Sequence, residues 1–136
     1  MPRRSLPHKD QIMKTLIKWE EAAMFLLSIC LFGQLHFAWW WWLVWILAPD
    51  LSMVGYMAGN KVGAICYNIV HHKGVAIVLY LIGLYTANEY LEFAGLILFG
   101  HSSMDRGMGY GLKYFSGFQD THLGKIGKNN KNKSIV

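Results

Sequence analysis

The sequence predicts an all-α fold: an integral membrane bundle of four transmembrane helices with both termini in the cytoplasm (N-in, C-in). Hydrophobic residues make up 54% of its 136 residues and charged residues only 15%, whereas a soluble domain carries about a quarter charged residues. The apolar residues form long stretches, and the basic residues gather on either side of them. A basic chain can bind nucleic acid, but basic clusters that flank an apolar body favour the lipid bilayer as the partner, and we expect no nucleic acid.

A run of tryptophans separates the first two predicted spans. Residues 16–37 are apolar over about the 20 residues that cross a hydrocarbon layer, and Glu20 lies near the start of this span. The second span, residues 38–58, begins with Trp39–Trp42 and contains Asp50. Because tryptophan prefers the membrane interface, the run marks one membrane face.

The third predicted span, residues 61–85, has a polar middle. The tetrapeptide His71-His72-Lys73-Gly74 divides two apolar stretches that are each too short to cross a bilayer. The span is either one long helix or a broken segment, and membranes tolerate a broken segment only where protein or a water-filled cavity covers it. We favour the single helix, with a kink at Gly74.

The fourth predicted span, residues 89–107, completes the bundle. It is followed by a cytoplasmic segment rich in glycine and aromatic residues, 108–127, and by a basic, flexible tail, 128–136. Residues 1–127 are therefore expected to form a single four-helix transmembrane domain.

The orientation follows from the distribution of lysine and arginine, which favour the cytoplasmic side. Both termini are basic, and Lys61 lies in the loop expected on the same side. The loops near His36 and Asn88 contain neither lysine nor arginine. We therefore expect a multi-pass protein of the cytoplasmic membrane, with the tryptophan run at its outer face.

Polar residues on different spans are expected at similar depth. With a rise of 1.5 Å per residue, Asp50, His71, His101 and Asp105 all fall at the midplane or in the cytoplasmic half of the bilayer. An ionisable group at mid-bilayer costs about 2.5–3.5 kcal/mol, so such groups point at one another and away from lipid. One polar core, open to the cytoplasm, is the simplest arrangement.

Imidazole and carboxylate in one core point to a divalent metal such as zinc, iron or manganese. In this hypothesis Asp50 acts as a general base or orients a ligand, and Glu20, Asn68 and Tyr110 support the site. The alternative is that the polar groups only join the helices by hydrogen bonds. The predicted metal ligands are His71, His101, Asp105 and His122.

The segment Asp105–Tyr114 combines three glycines with two basic residues. A glycine-rich turn beside an arginine can hold an anion such as phosphate, so Arg106 and Lys113 are predicted to bind an anionic group. The alternatives are that the glycines terminate a helix and that the basic residues serve as ordinary cytoplasmic anchors.

Three blocks of the sequence resemble a known family: APDLSMVGYMAG (48–59), VGAICYNIVHH (62–72) and HSSMDRGMGYGLKYFSGFQDTHLGKIG (101–127). They are similar to the signature blocks of the bacterial membrane family known as domain of unknown function 4260, and the resemblance covers residues 16–127. It implies a small four-span membrane protein and no established activity. The membrane-bound metal-dependent hydrolases of bacteria offer a fainter analogy, because they also place histidine and aspartate inside short multi-span chains.

Three functional hypotheses follow. The first is a membrane-embedded, metal-assisted hydrolase or transferase that acts on a lipid or lipid phosphate at the cytoplasmic leaflet. The second is a small transporter or proton-relay protein, for which a homo-oligomer is expected because four helices form a narrow bundle. The third is a structural or accessory membrane subunit whose polar core only fixes helix packing.

Overall fold

The protein is helical in the computed structural model, which describes residues 7–115 and 120–125. Five α-helices, one 3₁₀-helix and a small antiparallel hairpin make up the described parts of the chain. The predicted all-α class is therefore confirmed, apart from the hairpin. In chain order, the elements are α1 (Pro7–Phe32), α2 (Trp40–Trp45), the 3₁₀-helix η1 (Ala48–Ala58), α3 (Asn60–His71), α4 (Lys73–Thr86), α5 (Glu89–Gly107), β1 (Asp120–Thr121) and β2 (Gly124–Lys125).

Helix α5 lies at the centre and packs against both α1 and α4, while α3 packs mainly against η1. A cluster of large apolar side chains joins α1, α2 and α5, and the Phe32 and Phe93 rings meet edge to face at 5.3 Å. This cluster holds the three helices together on the side of the molecule where α5 begins. Its buried members are Phe32, Trp42, Ile46, Leu96 and Ile97.

The second predicted span is not one helix. Helix α2 has only six residues, and η1 continues the chain after it. Pro49 lies in the first turn of η1. Because proline has no amide hydrogen, it cannot bond to the carbonyl three residues before it. The helical hydrogen-bond pattern is therefore interrupted next to Ile46.

The third predicted span is broken at His72, and the single continuous helix that we favoured is therefore wrong. His72 has extended backbone dihedrals, and its Nδ1 accepts a hydrogen bond from the Val75 amide at 3.3 Å. A side chain that caps the first turn in this way starts a new helix. The break separates α3 from α4 at His72, two residues before the predicted kink at Gly74.

Among the helices that the structure describes, only one bent pair has the length and apolar composition of a membrane span. Within the described residues, no single helix meets both conditions, whereas Asn60–His71 and Lys73–Thr86 meet them together, with a bend of 49°.

Helix α5 has specific signals at both ends. The Asn88 side chain accepts hydrogen bonds from the amides of Tyr90 and Leu91 at its start. At its end, Gly109 has φ +92°, and the Tyr110 amide bonds to the Asp105 carbonyl at 2.8 Å. A left-handed glycine with such a bond is typical of a helix C-terminus, so the glycines do end this helix.

The contact between α4 and α5 depends on Gly95. A Cβ at this position would lie 2.7 Å from the Tyr80 nitrogen and 2.9 Å from the Ala76 carbonyl oxygen. We expect Gly95→Ala to lower the free energy of unfolding by roughly 1–3 kcal/mol through overpacking, although alanine is the better helix former. Thermal unfolding in detergent measures the effect. Gly33→Ala is the control, since its Cβ would lie 3.4 Å from the nearest atom. Equal stability of the two variants would contradict this packing.

Candidate metal centre

Four side chains from three elements converge at one point of the fold. Asp50 comes from the first turn of η1, His71 ends α3, and His101 and Asp105 lie one turn apart on α5. One ligand atom from each lies within 4.8 Å of all the others. The break after His71 lets α3 end at the site while α4 continues along α5.

Both histidines direct the same nitrogen into the cluster. Nδ1 of His101 lies 2.6 Å from the Ile46 carbonyl oxygen, and Nδ1 of His71 lies 2.9 Å from the Tyr67 carbonyl oxygen. A carbonyl only accepts, so Nδ1 is the donor in each ring and Nε2 carries the lone pair when the ring is neutral. Such a bond at the outer nitrogen is the usual second partner of a metal-binding histidine. The carbonyl of Ile46 is open to His101 because Pro49 cannot bond to it.

The four separations between a histidine nitrogen and a carboxylate oxygen are close to those of a tetrahedral site, and all four atoms lie within 4.8 Å of one another. His101 Nε2 lies 3.0 Å from Asp50 Oδ1 and 3.2 Å from Asp105 Oδ2. The corresponding distances from His71 Nε2 are 3.6 Å and 3.4 Å. A tetrahedron with metal–ligand bonds of ~2.0–2.1 Å has edges of about 3.3 Å. The four atoms are therefore close enough together to hold a zinc-sized divalent cation.

The surroundings of His71 Nε2 also favour a bound cation or a proton at this point. Its side chain is 3% exposed, and its Nε2 makes no hydrogen bond to the described residues. A buried imidazole nitrogen is costly when it has no partner. Because this nitrogen faces two carboxylates, either a proton or a metal ion is required between them.

Tyr67 braces the cluster and was not predicted as a site residue. Its hydroxyl donates to Asp105 Oδ2 at 3.3 Å. Its ring stacks on His71, with centroids 3.8 Å apart and planes 9° apart. Tyr67 lies four residues before His71 and so shares its helix face. This four-residue spacing is the feature of the sequence from which Tyr67 could have been predicted as a site residue.

The two aspartates of the cluster, Asp50 and Asp105, line a cavity of about 320 Å³. His71, His101 and Asp105 are buried, whereas the Asp50 side chain is 40% exposed. Three buried ligands and a fourth group reached by solvent resemble a catalytic site more than a closed structural one. The walls combine polar and apolar groups: Leu47, Asp50, Met53, Tyr67, Met104, Asp105, Met108, Tyr110 and Lys113.

His122 and Glu20 lie outside the cluster, contrary to their predicted roles as ligand and support. Nδ1 of His122 accepts a hydrogen bond from the Leu112 amide at 2.7 Å. Burial, and next the charge of Arg106, lower the pKa of His122, so the neutral form that accepts this bond is favoured. His122 does fold back, but onto the backbone that follows α5. Glu20 is exposed.

Of the two residues predicted to bind an anion, Arg106 and Lys113, only Lys113 lies at the cavity. Lys113 is buried and lines the cavity, whereas Arg106 is absent from its lining. The ammonium of Lys113 lies 4.8 Å from the centroid of the Tyr67 ring. Burial lowers the pKa of Lys113, and the charges of Asp105 and Asp50 oppose that effect.

Asn68 holds the backbone of Lys113 at both polar groups. Its Nδ2 donates to the Lys113 carbonyl at 2.7 Å, and its Oδ1 accepts from the Lys113 amide at 2.6 Å. Lys113 also pairs with Thr121 in an isolated bridge. Tyr110, another predicted supporting residue, lies at the cavity and is 40% exposed.

A buried ion pair lies near the start of α4. Lys73 pairs with Glu21 of α1. Both side chains are largely buried, with exposures of 13% and 9%. The pair anchors the start of α4, two residues after His71, to α1.

Fold and cluster together define a helical protein with a candidate divalent-metal centre of two histidines and two aspartates. The chain belongs to the family described as Domain of unknown function (DUF4260), whose model matches residues 14–126. This confirms the resemblance of the three sequence blocks. No curated protein and no solved structure shows significant similarity to the chain.

Proposed function

We propose that the protein is a membrane-embedded, metal-dependent enzyme, a hydrolase or transferase that acts on a lipid or lipid phosphate at the cytoplasmic leaflet. The observation that carries the proposal is the convergence of His71, His101, Asp105 and Asp50 beside a cavity with polar and apolar walls. His71, His101 and Asp105 would supply two nitrogens and one carboxylate oxygen, which suit zinc, iron or manganese and leave a coordination position for water beside Asp50. A metal bound there would supply a water with a pKa lowered to about 7, a nucleophile at neutral pH.

Asp50 is the group in this site that can move a proton. Its side chain reaches the cavity, while Nε2 of His101 lies 3.0 Å from its Oδ1. In hydrolysis of a phosphate ester, the water oxygen bonds to phosphorus and the ester P–O bond breaks. Asp50 takes one proton from the water and returns it to the leaving alkoxide, so the products are an alcohol and a phosphate.

Membrane insertion is supported by the surface of the helices. Large hydrophobic side chains are exposed on every α-helix, whereas a soluble monomer rarely exposes a large contiguous apolar patch. A lipid bilayer is the solvent in which such a surface is stable. Examples from successive helices are Leu26, Val44, Ile69, Leu81 and Tyr90.

The direct test is elemental analysis of the purified, tag-free protein in detergent. The wild type is expected to hold near-stoichiometric zinc, iron or manganese, and His101→Ala to lose it, since His101 is a fully buried ligand. His36→Ala is the matched control, because His36 is exposed and pairs with Glu89 outside the cluster. Absence of metal from the wild type, even after incubation with added zinc, would overturn the proposal.

The same distances support a second candidate, a proton relay. Nε2 atoms at 3.0–3.6 Å from two carboxylates can share protons in place of a metal, and buried histidine and aspartate chains serve as relays in membranes. Proton flux into liposomes that is lost in Asp50→Asn, from a protein without metal, would establish this function. No flux under a gradient would exclude it.

A further inference from the structure

We propose that an aromatic cavity at the start of α5 binds a quaternary ammonium group, and that this group belongs to an amphiphile with an alkyl chain. The cavity is separate from the metal centre, because its described walls include none of the four cluster residues. The inference therefore goes beyond the proposed enzyme and does not depend on it. The walls are five aromatic side chains: Phe37, Trp41, Trp45, Tyr90 and Phe93.

Three segments of the chain build this aromatic cavity, which has a volume of about 340 Å³. Trp41 and Trp45 are four residues apart on α2 and so share a helix face. Tyr90 and Phe93 lie near the start of α5. Phe37 precedes α2, and its ring meets those of Tyr90 and Phe93 at 5.5 Å and 5.0 Å, with planes 67° and 63° apart. The cavity is therefore bounded by rings from three segments, several of them at steep angles to one another.

Aromatic walls of this kind select one class of cation. The face of an aromatic ring attracts a positive charge, and several rings together bind methylated ammonium groups. A primary ammonium group also needs hydrogen-bond acceptors, and among the five wall side chains only the Tyr90 hydroxyl can accept. A quaternary ammonium group has no N–H and needs no acceptor. The walls therefore favour a quaternary ammonium group over a primary one.

A carboxylate lies beside the aromatic cavity. Glu89 lines an adjoining cavity of about 640 Å³, which shares Phe37 and Tyr90 with the aromatic one. The Glu89 carboxylate pairs with the His36 ring and accepts from the His36 amide at 3.4 Å. When the imidazole is neutral, these bonds hold the carboxylate in place and leave it negatively charged. A cation in the aromatic cavity is therefore attracted by both the rings and this charge.

The sequence around the aromatic cavity supplies no competing lysine or arginine. Residues 33–48 and 85–98 contain all five wall residues and neither of these two basic residue types. The same residues include two glutamates, Glu89 and Glu92. The local charge therefore favours a cationic ligand and disfavours an anionic one.

An apolar groove continues from the aromatic cavity and fits an alkyl chain. The groove has a volume of about 570 Å³ and shares Trp45 and Phe93 with the aromatic cavity. Its other walls include Leu51 of η1 and Ile97 and Leu98 of α5, so it follows α5 away from Glu89. Burial of an alkyl chain is favourable by about 0.8 kcal/mol per CH₂ group. An amphiphile with a quaternary ammonium head therefore matches the carboxylate, the rings and the groove together, whereas a free cation matches only the first two.

The test measures ligand binding to the full-length protein in non-ionic detergent by calorimetry, at about pH 8, where free imidazole is neutral. The ligands are choline, its uncharged carbon analogue dimethylbutanol, and dodecyltrimethylammonium, each corrected by the same titration into detergent alone. Trp41→Leu removes a ring from the wall, and Trp41→Phe restores a smaller one. Glu89→Gln removes the charge. Trp39→Leu is the matched control, because Trp39 lies in the same tryptophan run but is 74% exposed and outside the described walls.

We expect Trp41→Leu to weaken the binding of choline and of dodecyltrimethylammonium about two- to thirtyfold, as for loss of one cation–π contact. Trp41→Phe should recover part of this affinity, Glu89→Gln should weaken both cations, and Trp39→Leu should equal the wild type. Dodecyltrimethylammonium should bind more tightly than choline, and dimethylbutanol more weakly.

Three results would overturn the proposal. No binding of either cation, or unchanged affinity in both Trp41→Leu and Glu89→Gln, would show that the cavity is not a cation site. Equal affinity for choline and dimethylbutanol would show that apolar contact alone explains binding. Equal affinity for choline and dodecyltrimethylammonium would exclude the alkyl chain from the groove and make the ligand a free cation.

Discussion

Asp105→Asn is expected to abolish metal binding, whereas Asp50→Asn is expected to keep the metal and lose turnover. The two carboxylates differ in their surroundings. Asp105 is buried, accepts from the Tyr67 hydroxyl and faces both histidines. Asp50 has a side chain that is 40% exposed at the cavity. Loss of a partner behind a ligand costs 10–100-fold in metal affinity, so loss of the Asp105 ligand itself should cost more than ~100-fold.

We expect Asp50→Asn to lower the rate because the variant lacks the carboxylate that transfers the proton. General acid–base catalysis contributes about 10²–10⁴-fold to a rate, so Asp50→Asn should lower phosphate release from an alkyl phosphate by that factor. Metal titration with a competing chelator and a phosphate-release assay on the same samples measure both effects. Full metal content in Asp105→Asn would contradict its role. Equal metal loss in the two variants would make Asp50 an ordinary ligand and remove the base from the mechanism.

The meeting of Asp50, His71, His101 and Asp105 could be predicted from simple physics. The rise of a helix sets the depth of each residue, and the cost of a charge in hydrocarbon requires polar groups to face one another. Both arguments hold even when a helix boundary is predicted wrongly by a few residues. A helix that ends near the site still places its last residue at the site. This is why His71 reaches the cluster although α3 ends immediately after it.

The course of the chain around the site could not be predicted in the same way. The break after His71 depends on a capping bond from the His72 side chain, and histidine is not among the usual N-cap residues. The place of His122 depends on the hairpin after α5, where Gly111 must lack a side chain because its Cβ would lie 2.5 Å from the His122 Nδ1. Depth arguments do not describe such local contacts.

Which of two adjacent glutamates on α1 is buried in an ion pair also depends on the local geometry of the helix. Glu20 and Glu21 are adjacent on α1, but successive residues of a helix point about 100° apart. Only Glu21 faces the start of α4, where it pairs with Lys73. Composition and depth treat the two residues alike, whereas the phase of the helix decides which one is buried.

Glu21→Gln is therefore expected to destabilise the fold far more than Glu20→Gln. Without its carboxylate, the Lys73 ammonium remains buried against Met24 Sδ at 3.0 Å and near the Phe99 ring at 5.9 Å. Removing one partner of a buried ion pair costs about 3–5 kcal/mol. Glu20→Gln, an exposed change one residue away, should stay within about 0.5 kcal/mol. Unfolding followed by circular dichroism in mixed detergent measures both.

The double variant Glu21→Gln/Lys73→Met tests whether the lost stability of Glu21→Gln comes from the unpaired charge of Lys73. It removes both charges, and replacement of a buried pair by neutral side chains is often neutral or stabilising. We therefore expect it to recover most of the lost stability. Its metal content at saturating zinc should equal that of the wild type, because the pair anchors α4 and contributes no ligand to the cluster. If the double variant is as unstable as Glu21→Gln, the two charges do not stabilise each other.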